Sequence, residues 1–546
     1  MKWNLSNDVT ISNLDVLIQS VLKERGITDK NNFLSPSSPF DITPVDLGID
    51  LVELKKAKRR IELAIKNQEK VLIFGDYDAD GITATSVIWL TLKEMGLVAQ
   101  PFIPDRLKDG YGISQLTLER LFAKNKPDLI ITVDNGIVAH EPLKWVKKQS
   151  VDVIVTDHHQ PLKNKLPALV MVHSTKVSGA AVVWMLAREL SPVFSKELLD
   201  LVMISTISDQ MRLVDENRSI VKFGLELIKK KQRAGVQALL EVSSIEPNEL
   251  SVGTIGFSLA PRINAAGRIS QGLMAVRLLC TQEIESARRI AKKLNDLNQE
   301  RQDLTTAQLE KAESKINVKD DESLIFVSSK SFHEGIIGLL SGRLTEKYFK
   351  PSIVVAVNKT TAKASARSVS GVNITNLIKK ADKLLLSVGG HELAAGFSSK
   401  PENLESIKSL LQSEAKKFIN PELLEPSLKI DAVLDHSLVS IETVNRLNLF
   451  EPYGLGNKEP LFIIPNIKLI DKRLIGSDRQ HLKLLLELDS SSFGNIEALG
   501  WRMANRVKEL LNVAFIDIVC SLEINTWNGK KSVQLKLRDF RPSVQL

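Results

Sequence analysis

The 546-residue sequence has only two cysteines, Cys280 and Cys520, and neither belongs to a CxxC motif or a Cys/His cluster. A disulfide framework and a thiolate zinc site are therefore not expected. No P-loop or GxGxxG motif follows the apolar run at residues 71–74, so nucleotide binding by a glycine-rich loop has no support. Any metal would have to be bound by oxygen and imidazole ligands, which suit Mg²⁺ or Mn²⁺.

Long hydrophobic runs are also absent, and none approaches the roughly 20 residues that cross a bilayer. The first residues, "MKWNLSNDVTISNLDVLIQ", resemble neither a secretion signal nor a transit peptide. We therefore expect a soluble cytosolic protein without a membrane partner. The net charge of +8 only modestly favours polyanionic partners, because from residue 430 onward 15 basic residues face 14 acidic ones.

Between residues 51 and about 225, short apolar runs alternate with amphipathic helical segments. The predicted strands are "VLIF" (71–74), "DLIITV" (128–133), "VDVIVT" (151–156), "ALVMV" (168–172) and "LVMIST" (201–206). Segments such as "ATSVIWLTLKEMG" and "SGAAVVWMLAREL" are the predicted helices between them. This alternation predicts an α/β fold with a parallel sheet that is covered on both faces.

Four further regions flank this predicted α/β domain, which we bound at residues 51–272. Residues 1–50 contain "SPSSPFDITP" and are expected to be irregular, while residues 273–320 lack glycine and proline and are expected to form long connecting helices from about 275 to 318. A second α/β unit is predicted at 321–424, around the strands "SLIFVS" and "PSIVVAV". Residues 425–546 are strand-rich, with a hairpin signal at Asn528-Gly529, and predict a small β-barrel.

Acidic residues recur at the ends of the predicted strands of residues 51–272. They are Asp76, Asp78 and Asp80 in "GDYDADG", Asp134 in "VDNG", Asp157 before His158 and His159, and Asp209 after "LVMISTIS". The first three would share one face if the chain stayed extended, and strand ends of a parallel sheet meet at one edge. Any single aspartate here also fits a turn or a helix cap. The joint pattern predicts two divalent cations, which would remove the repulsion between the carboxylates.

The ordered set "DYDADG", "VDNG", "TDHH" and Asp209 resembles the four motifs of the DHH phosphoesterase family. Segments "GFSLAPRINAAGR" (256–268), "FHEGIIGLLSGRL" (332–344), "ASARS" (364–368), "GGHELAAGF" (389–397) and "PYGLGNKEP" (452–460) resemble its branch of bacterial single-strand DNA exonucleases. The resemblance implies a DHH domain, a long connecting helix, a DHHA1 domain and a C-terminal OB-like barrel. It also implies 5′→3′ hydrolysis of single-stranded DNA, in DNA repair and recombination.

The resemblance further implies a metal centre with two Mn²⁺ or Mg²⁺ ions, which activate water and stabilise both the attacking and the leaving oxygen. Its implied ligands are Asp76, Asp78, Asp80, Asp134, Asp157, His158 and Asp209. His159, Asp134 and His158 are the implied catalytic residues, with His159 either in the metal shell or against the scissile phosphate.

A second implied set binds phosphate or DNA. Its members are Arg106, Arg262, Asn264, Arg268, Ser365, Arg367, Ser368, Gly389, Gly390 and His391. Each arginine taken alone fits a surface ion pair equally well, and Asn264 fits a packing hydrogen bond equally well. In the predicted barrel, Phe450, Tyr453, Trp501 and Trp527 are available for stacking on bases. Because aromatic residues are only 5% of the chain, a core role is the expectation for most of these four.

Two other functions remain open at this point. A DHH phosphoesterase for short oligonucleotides, cyclic dinucleotides or pyrophosphate would share the metal site, although the added barrel favours a long polymer. A non-catalytic replication scaffold would be expected to have lost ligand aspartates, and this sequence retains them. The resemblance implies single-stranded DNA with a 5′ end as substrate, and single-strand-binding protein and a helicase as partners of a monomer.

Overall fold

The structure, a computed structural model, describes residues 1–5, 9–105, 108–110, 112–230, 232–268, 272–316, 322–488 and 494–543, without the side chains of Arg268 and Trp527. The chain divides into two compact units. One comprises residues 38–211 and 219–425, and the other comprises residues 1–37, 212–218 and 426–546. In the described ranges every helix is too short or too polar to cross a membrane.

The first sheet of the larger unit has five parallel strands. Their spatial order is Gln100–Phe102, Val71–Phe74, Leu129–Val133, Asp152–Asp157 and Val170–His173. Val71–Phe74 and Leu129–Val133 are buried along their whole length, because helices cover both faces of the sheet. Four of the predicted strands are confirmed, and the edge strand Gln100–Phe102 was not predicted.

The predicted strand "LVMIST" is wrong. Residues 201–206 lie inside the helix Leu199–Ser208, in which residues 199–207 are all buried. A helix that is buried on every side has no polar face, so its sequence lacks the 3.6-residue periodicity that distinguishes a helix from a buried strand. Asp209 consequently follows the end of a helix and not the end of a strand.

Helices surround this sheet and continue the chain beyond it. Their bounds are Leu51–Asn67, Ala79–Glu94, Gln115–Lys124, His140–Lys148, Gly179–Leu190, Leu199–Ser208, Asp215–Lys230, Ala234–Ser243, Val252–Thr254 and Ala260–Arg268, with a π-helical turn at Ile255–Leu259. The first of them is capped by Asp50, whose side chain accepts hydrogen bonds from the backbone N–H groups of residues 52 and 53. Two further helices, Gly272–Cys280 and Ile284–Glu313, form the connecting region, interrupted at residues 281–283.

The second sheet of this unit is mixed. Its five strands lie in the order Leu385–Gly390, Ala394–Ser399, Ala362–Arg367, Ser352–Val357 and Ile325–Ser329. Only the last two are parallel, and the helix Ile337–Tyr348 connects them as predicted. The helices Ile374–Ile378 and Leu404–Phe418 complete this second α/β layer.

The smaller unit is built around a closed five-stranded barrel. Around the barrel the strands are Phe462–Ile475, His481–Glu487, Asn495–Gly500, Lys530–Pro542 and Phe515–Trp527, and the last pairs again with the first. The predicted hairpin is confirmed, since Asn528 and Gly529 connect two strands with φ values of 49° and 76°. The short helix Ile441–Leu447 and the strands Ser427–Ile430 and Ala432–Leu434 precede the barrel.

The N-terminal region is more regular than the sequence suggests. Strand Lys2–Leu5 pairs with Ser427–Ile430, and strand Thr10–Ile11 pairs with Ala432–Leu434. The helices Leu14–Glu24 and Lys30–Leu34 follow. The expectation of an irregular segment is therefore wrong for these elements, which are stabilised by residues more than 400 positions away, and it holds for "SPSSPFDITP" at 35–44.

Candidate metal centre and nucleic-acid site

The three aspartates of "GDYDADG" are brought together by a turn into a helix. Asp78 caps the helix Ala79–Glu94, and its Oδ1 accepts a hydrogen bond of 3.0 Å from the Gly81 N–H. Asp80 lies in the first turn of the same helix. A side chain at Gly81 would place Cβ 2.6 Å from the Asp76 backbone nitrogen, so glycine is required there. The chain does not stay extended beyond the strand, because the helix begins at residue 79, so the three side chains do not share a face in the way that an extended segment would give.

Asp80 is held by a neighbouring helix. Its Oδ2 accepts a 2.7 Å hydrogen bond from the Gly179 N–H and its Oδ1 a 2.8 Å bond from the Ala180 N–H, at the start of helix Gly179–Leu190. The Ser205 hydroxyl donates to Asp80 Oδ1 at 2.5 Å. A carboxylate is stabilised at a helix N-terminus by unpaired N–H groups and the helix dipole. Sequence reasoning missed these supporting residues, although Ser178 before an apolar run signals a helix start.

Asp134 follows the strand Leu129–Val133 in a left-handed backbone conformation, with φ of 58°. Its Oδ1 is buried, and no group of the described protein donates a hydrogen bond to it. A Cβ at Gly179 would lie 2.6 Å from this oxygen, so only glycine leaves room for it. A buried carboxylate oxygen without a donor is costly unless a cation binds it.

His158 joins carboxylates from three different elements. Its Nε2 lies 3.2 Å from Asp134 Oδ1, 3.7 Å from Asp80 Oδ2 and 3.7 Å from Asp209 Oδ2. Three sets of possible ligand atoms lie within 4.8 Å of one another. They are Asp80 with His158 and Asp209, Asp76 with Asp78 and Asp134, and Asp134 with His158 and His159. The structure thus brings six of the seven predicted ligands into one cluster.

The electrostatics of this cluster favour cation binding. Burial, together with the charge of Asp78, raises the pKa of Asp76 to about 8. Burial and the charges of Asp80 and Asp78 likewise raise the pKa of Asp209 to about 8. The pKa of Asp134 is raised well above its usual value by burial and by Asp80, Asp78 and Asp76. Carboxylates that resist ionisation without a cation, with hard oxygen donors and one imidazole, fit Mn²⁺ or Mg²⁺.

Asp157, the seventh predicted ligand, has a different environment. Its Oδ1 accepts from the N–H groups of His158 and His159 and from His159 Nδ1 at 2.8 Å, and its Oδ2 accepts from the Ile137 N–H at 3.0 Å. Burial opposes ionisation, but these hydrogen bonds and the charge of His159 hold the pKa of Asp157 below its usual value. The geometry therefore makes Asp157 the group that orients the two histidines.

His159 is held from two sides. The hydrogen bond to Asp157 raises the pKa of His159 to about 9, so the ring is an imidazolium at neutral pH. His173 Nε2 lies 2.8 Å from the His159 carbonyl oxygen and fixes the backbone. His159 Nδ1 lies 4.0 Å from Asp134 Oδ1, which places the ring at the edge of the cluster.

Two of the predicted phosphate-binding residues in the first α/β region form hydrogen bonds within the protein. Asn264 Oδ1 accepts a 2.8 Å hydrogen bond from the Ala79 N–H. Its side chain thus supports the segment "GDYDADG" at residues 75–81, which we call the aspartate loop. Arg262 donates to Asn295 Oδ1 at 3.0 Å and to the Ser258 carbonyl at 2.8 Å. Arg106 and the side chain of Arg268 lie outside the described residues.

The remaining predicted DNA contacts lie on the second sheet. Ser365 and Arg367 belong to strand Ala362–Arg367, where the Arg367 side chain donates to the Ala366 carbonyl at 2.9 Å. The Ser368 hydroxyl donates to the Val372 carbonyl at 2.7 Å and so stabilises a loop.

Gly389 and Gly390 end the strand before His391, and the side chain of His391 is exposed. Gly390 has φ of 143°, and a Cβ there would lie 2.4 Å from Ala395 Cα. This hairpin therefore needs glycine at 390 for its own geometry. Gly389, by contrast, has open space where a Cβ would stand.

The candidate stacking aromatics of the smaller unit differ in exposure. Phe450 is buried in the core, and the Tyr453 hydroxyl donates to the Leu447 carbonyl at 2.7 Å. The expected core role is confirmed for these two. Trp501 is 60% exposed and packs edge-on against His481, so it remains available for stacking. The side chain of Trp527 lies outside the described part of the structure.

Three family profiles match the chain. The DHH family N-terminal domain matches residues 70–206, the DHHA1 domain matches residues 321–417, and the RecJ OB domain matches residues 430–539. The first covers the strands and loops that carry Asp76 to His159. The third covers the closed barrel.

Relatives that match most of this chain agree with the profiles. The single-stranded-DNA-specific exonuclease RecJ of Bacillus subtilis (strain 168) is 34% identical over 96% of this chain and 67% of its own length. The Haemophilus influenzae protein of the same name is 30% identical over 90% of this chain and 91% of its own length. The crystal structure of RecJ in complex with Mn²⁺ from Thermus thermophilus has a TM-score of 0.82 and 27% identity, covering 100% of this chain and 80% of that one. With its DHH, DHHA1 and OB domains, this chain belongs to the RecJ family.

Proposed function

We propose that this protein is a metal-dependent exonuclease that hydrolyses phosphodiester bonds of single-stranded DNA in the 5′→3′ direction. The observation that carries the proposal is the convergence on His158 Nε2 of Asp134, Asp80 and Asp209, at 3.2, 3.7 and 3.7 Å. The relatives that match 90% or more of this chain are single-stranded-DNA-specific exonucleases by name.

Two of the three ligand sets suggest how a pair of Mn²⁺ or Mg²⁺ ions would be held. Asp76, Asp78 and Asp134 would bind one ion, and Asp80, His158 and Asp209 the other. Support comes from the buried Asp134 Oδ1, which lacks a donor, and from the raised pKa of Asp76. Such ions supply activation of water and neutralise charge on the phosphate in an in-line displacement.

Neighbouring residues hold the metal ligands in position and set the charge around them. The start of helix Gly179–Leu190 fixes Asp80 in position through hydrogen bonds from two backbone N–H groups. Asp157 keeps the His159 ring protonated at Nδ1, and His159 is then a cation beside the carboxylates that attracts a phosphate oxygen. His158 and Asp134 are the other proposed catalytic residues, because each belongs to one of these ligand sets and both belong to the third set with His159.

The remaining assignments concern the strand and its domains. We place the DHH domain at 51–272, the connecting helices at 273–320, the DHHA1 domain at 321–424 and the barrel at 425–546. Arg106, Arg262, Arg268, Arg367 and His391, with the polar and glycine residues of the same predicted set, would contact the strand. A barrel with an exposed Trp501 suits a long single strand better than a dinucleotide. We further propose cytoplasmic location, a monomer, and single-strand-binding protein and a helicase as partners.

The test is a cleavage assay on single-stranded and duplex DNA labelled at the 5′ or the 3′ end, with Mn²⁺, with Mg²⁺ and with chelator. We expect immediate release of a labelled 5′ nucleotide from the single strand, dependent on the ion, and little release from blunt duplex. Release that begins at the 3′ end would refute the direction. Activity on dinucleotides but not on long strands would favour the small-substrate phosphoesterase instead.

A further inference from the structure

Arg301 of the larger unit lies within electrostatic reach of two other arginines, Arg262 and Arg343. The helix of Arg343 packs against that of Arg301, since Leu340 and Leu344 share a hydrophobic cluster with Leu304. Arg262 belongs to the helix Ala260–Arg268, Arg301 to Ile284–Glu313 and Arg343 to Ile337–Tyr348. Burial lowers the pKa of Arg301, and the positive charges of Arg343 and Arg262 lower it further. In the part of the chain that the structure describes, no carboxylate forms an ion pair with any of the three.

The groups that hold these guanidinium groups are neutral. Arg262 donates to Asn295 Oδ1 at 3.0 Å and to the Ser258 carbonyl and hydroxyl oxygens at 2.8 and 2.9 Å. Arg301 Nη2 donates to Asn298 Oδ1 at 2.8 Å. Arg301 Nε is buried and has no acceptor among the described residues. These hydrogen bonds fix the side chains in place without neutralising their charge, which leaves an unmatched positive site.

The same long helix neutralises an arginine elsewhere. Arg288, which also belongs to Ile284–Glu313, lies 2.8 Å from Glu241 and 2.7 Å from Glu285. Acidic partners are therefore present around other arginines of this helix. Among the described residues, Arg301 has no such partner. Repulsion between partly buried like charges is stronger than in water and needs a counter-ion to offset it.

The position of the cluster relative to the metal centre follows from helix geometry. Asn264 contacts the aspartate loop at Ala79, whereas Arg262, two residues earlier, contacts the long helix at Asn295. Two residues correspond to about 200° of rotation, so the two side chains leave opposite faces of the helix. The Arg262 side chain therefore lies on the far side of this helix from the aspartate loop. Arg343 is exposed, which makes the site accessible from solvent.

We propose that Arg262, Arg301 and Arg343 form a second phosphate-binding site, which holds a backbone phosphate of the single strand away from the bond being cut. Guanidinium groups bind phosphate oxygens through paired N–H donors, and the neutral amides leave their charge for the ligand. The inference rests on the proposed exonuclease function and adds Arg301 and Arg343 to the residues that bind the strand.

The test compares Arg301→Gln, Arg343→Gln and the control Arg288→Gln in the full-length protein. Binding of a long single strand is measured over a range of KCl without divalent ions, and kcat and KM are measured with Mn²⁺. Each cluster variant should bind about tenfold more weakly. The slope of log K against log salt should become shallower by about 0.7 for each phosphate that the variant no longer binds. KM should rise while kcat is unchanged, because the site is remote from the reacting phosphate. Arg288→Gln should behave as wild type.

Other outcomes overturn the inference. Unchanged strand binding in Arg343→Gln, whose exposed side chain is not needed for folding, would refute it, as would a loss of kcat at constant KM. Loss of inorganic phosphate binding with normal strand binding would assign the cluster to a free anion and refute a strand site. Arg343→Lys should recover most of the affinity. An inactive wild-type protein would instead refute the proposed function, so the two failures are distinguishable.

Discussion

At the scale of single residues, the site depends on carboxylates that the protein cannot leave charged without a cation. Asp134 Oδ1 has no donor among the described residues, and Asp76 and Asp209 have pKa values raised to about 8. Bound cations would make all three ionised and useful as ligands.

Asp134→Ala should abolish metal-dependent cleavage. Losing the ion that it helps to hold removes several kcal/mol of transition-state stabilisation, so kcat should fall at least about a thousandfold. Single-strand binding should persist, since phosphate contacts supply most of it. Asp128→Asn is the matched control, because Asp128 lies at the other end of the same strand, where its carboxylate accepts a hydrogen bond from the Lys70 N–H. Near-normal turnover in Asp134→Ala would contradict the assignment.

The metal-free protein should lose stability as the pH rises. Asp76 and Asp209 ionise near 3.8 when unfolded but at about 8 when folded, and His159 shifts from 6.5 to about 9. The folded state then holds protons that the unfolded state has released, so their stabilisation is full at acidic pH and is lost through pH 8.

Thermal unfolding in chelator, followed between about pH 5 and about pH 9, measures this loss. Mn²⁺ should reverse the trend, because metal binding releases these protons and strengthens as the pH rises. Asp76→Asn should flatten the metal-free profile. A metal-free profile that rises toward alkaline pH would show that these carboxylates are already ionised.

The sequence was sufficient to find the acidic ligands, since acids after buried apolar runs are visible in it. It was not sufficient to find what orients them. Gly179, Ser205 and the orienting role of Asp157 depend on contacts between residues far apart in the chain. No local pattern encodes such contacts.

At the scale of elements, the N-termini of helices position the metal ligands as much as the ends of strands do. Asp78 caps the helix Ala79–Glu94. The Asp80 carboxylate accepts a hydrogen bond from the first N–H group of the helix Gly179–Leu190. The pattern of apolar residues predicted four strands of the first sheet correctly. It also predicted a strand where the helix Leu199–Ser208 lies, because a fully buried helix is apolar on all faces.

Gly179→Ala should disrupt the contact between helix Gly179–Leu190 and Asp134, since the new methyl would lie 2.6 Å from Asp134 Oδ1. We expect Mn²⁺ affinity to fall about 10- to 100-fold, as when groups that orient ligands are changed. Calorimetric titration measures it.

Gly342→Ala is the control for this substitution. It lies in the helix Ile337–Tyr348, where a Cβ meets nothing within 4 Å, and it should stabilise the protein by up to about 1 kcal/mol. Equal metal affinity in Gly179→Ala and wild type would mean that Asp134 can move without consequence.

At the scale of the whole molecule, the smaller unit is assembled from three separate stretches of chain. Arg218 holds them together, because its buried guanidinium donates to the carbonyls of Phe33, Leu449, Phe450 and Glu451 at 2.6–2.9 Å. The barrel strands and their hairpin were predictable from local patterns. The strands and helices of residues 2–34 were not, since their partners lie at the other end of the sequence.

Arg218→Met should therefore destabilise the smaller unit. It leaves buried carbonyls without donors, at a cost of about 3 kcal/mol or more in the free energy of unfolding. Urea unfolding, followed by a spectroscopic signal that reports on the barrel, measures this change in the free energy of unfolding. Arg446→Met removes the exposed ion pair with Asp15 in the same unit and should cost less than about 1 kcal/mol. Equal effects of the two substitutions would contradict the role given to Arg218.

Anomalous diffraction from crystals soaked in Mn²⁺ tests the central claim most directly. We expect two peaks, one among the carboxylates of Asp76, Asp78 and Asp134 and one among Asp80, His158 and Asp209. A single-strand exonuclease that works through this centre needs both. Full Mn²⁺ occupancy elsewhere in the molecule, with no density between these side chains, would contradict the account.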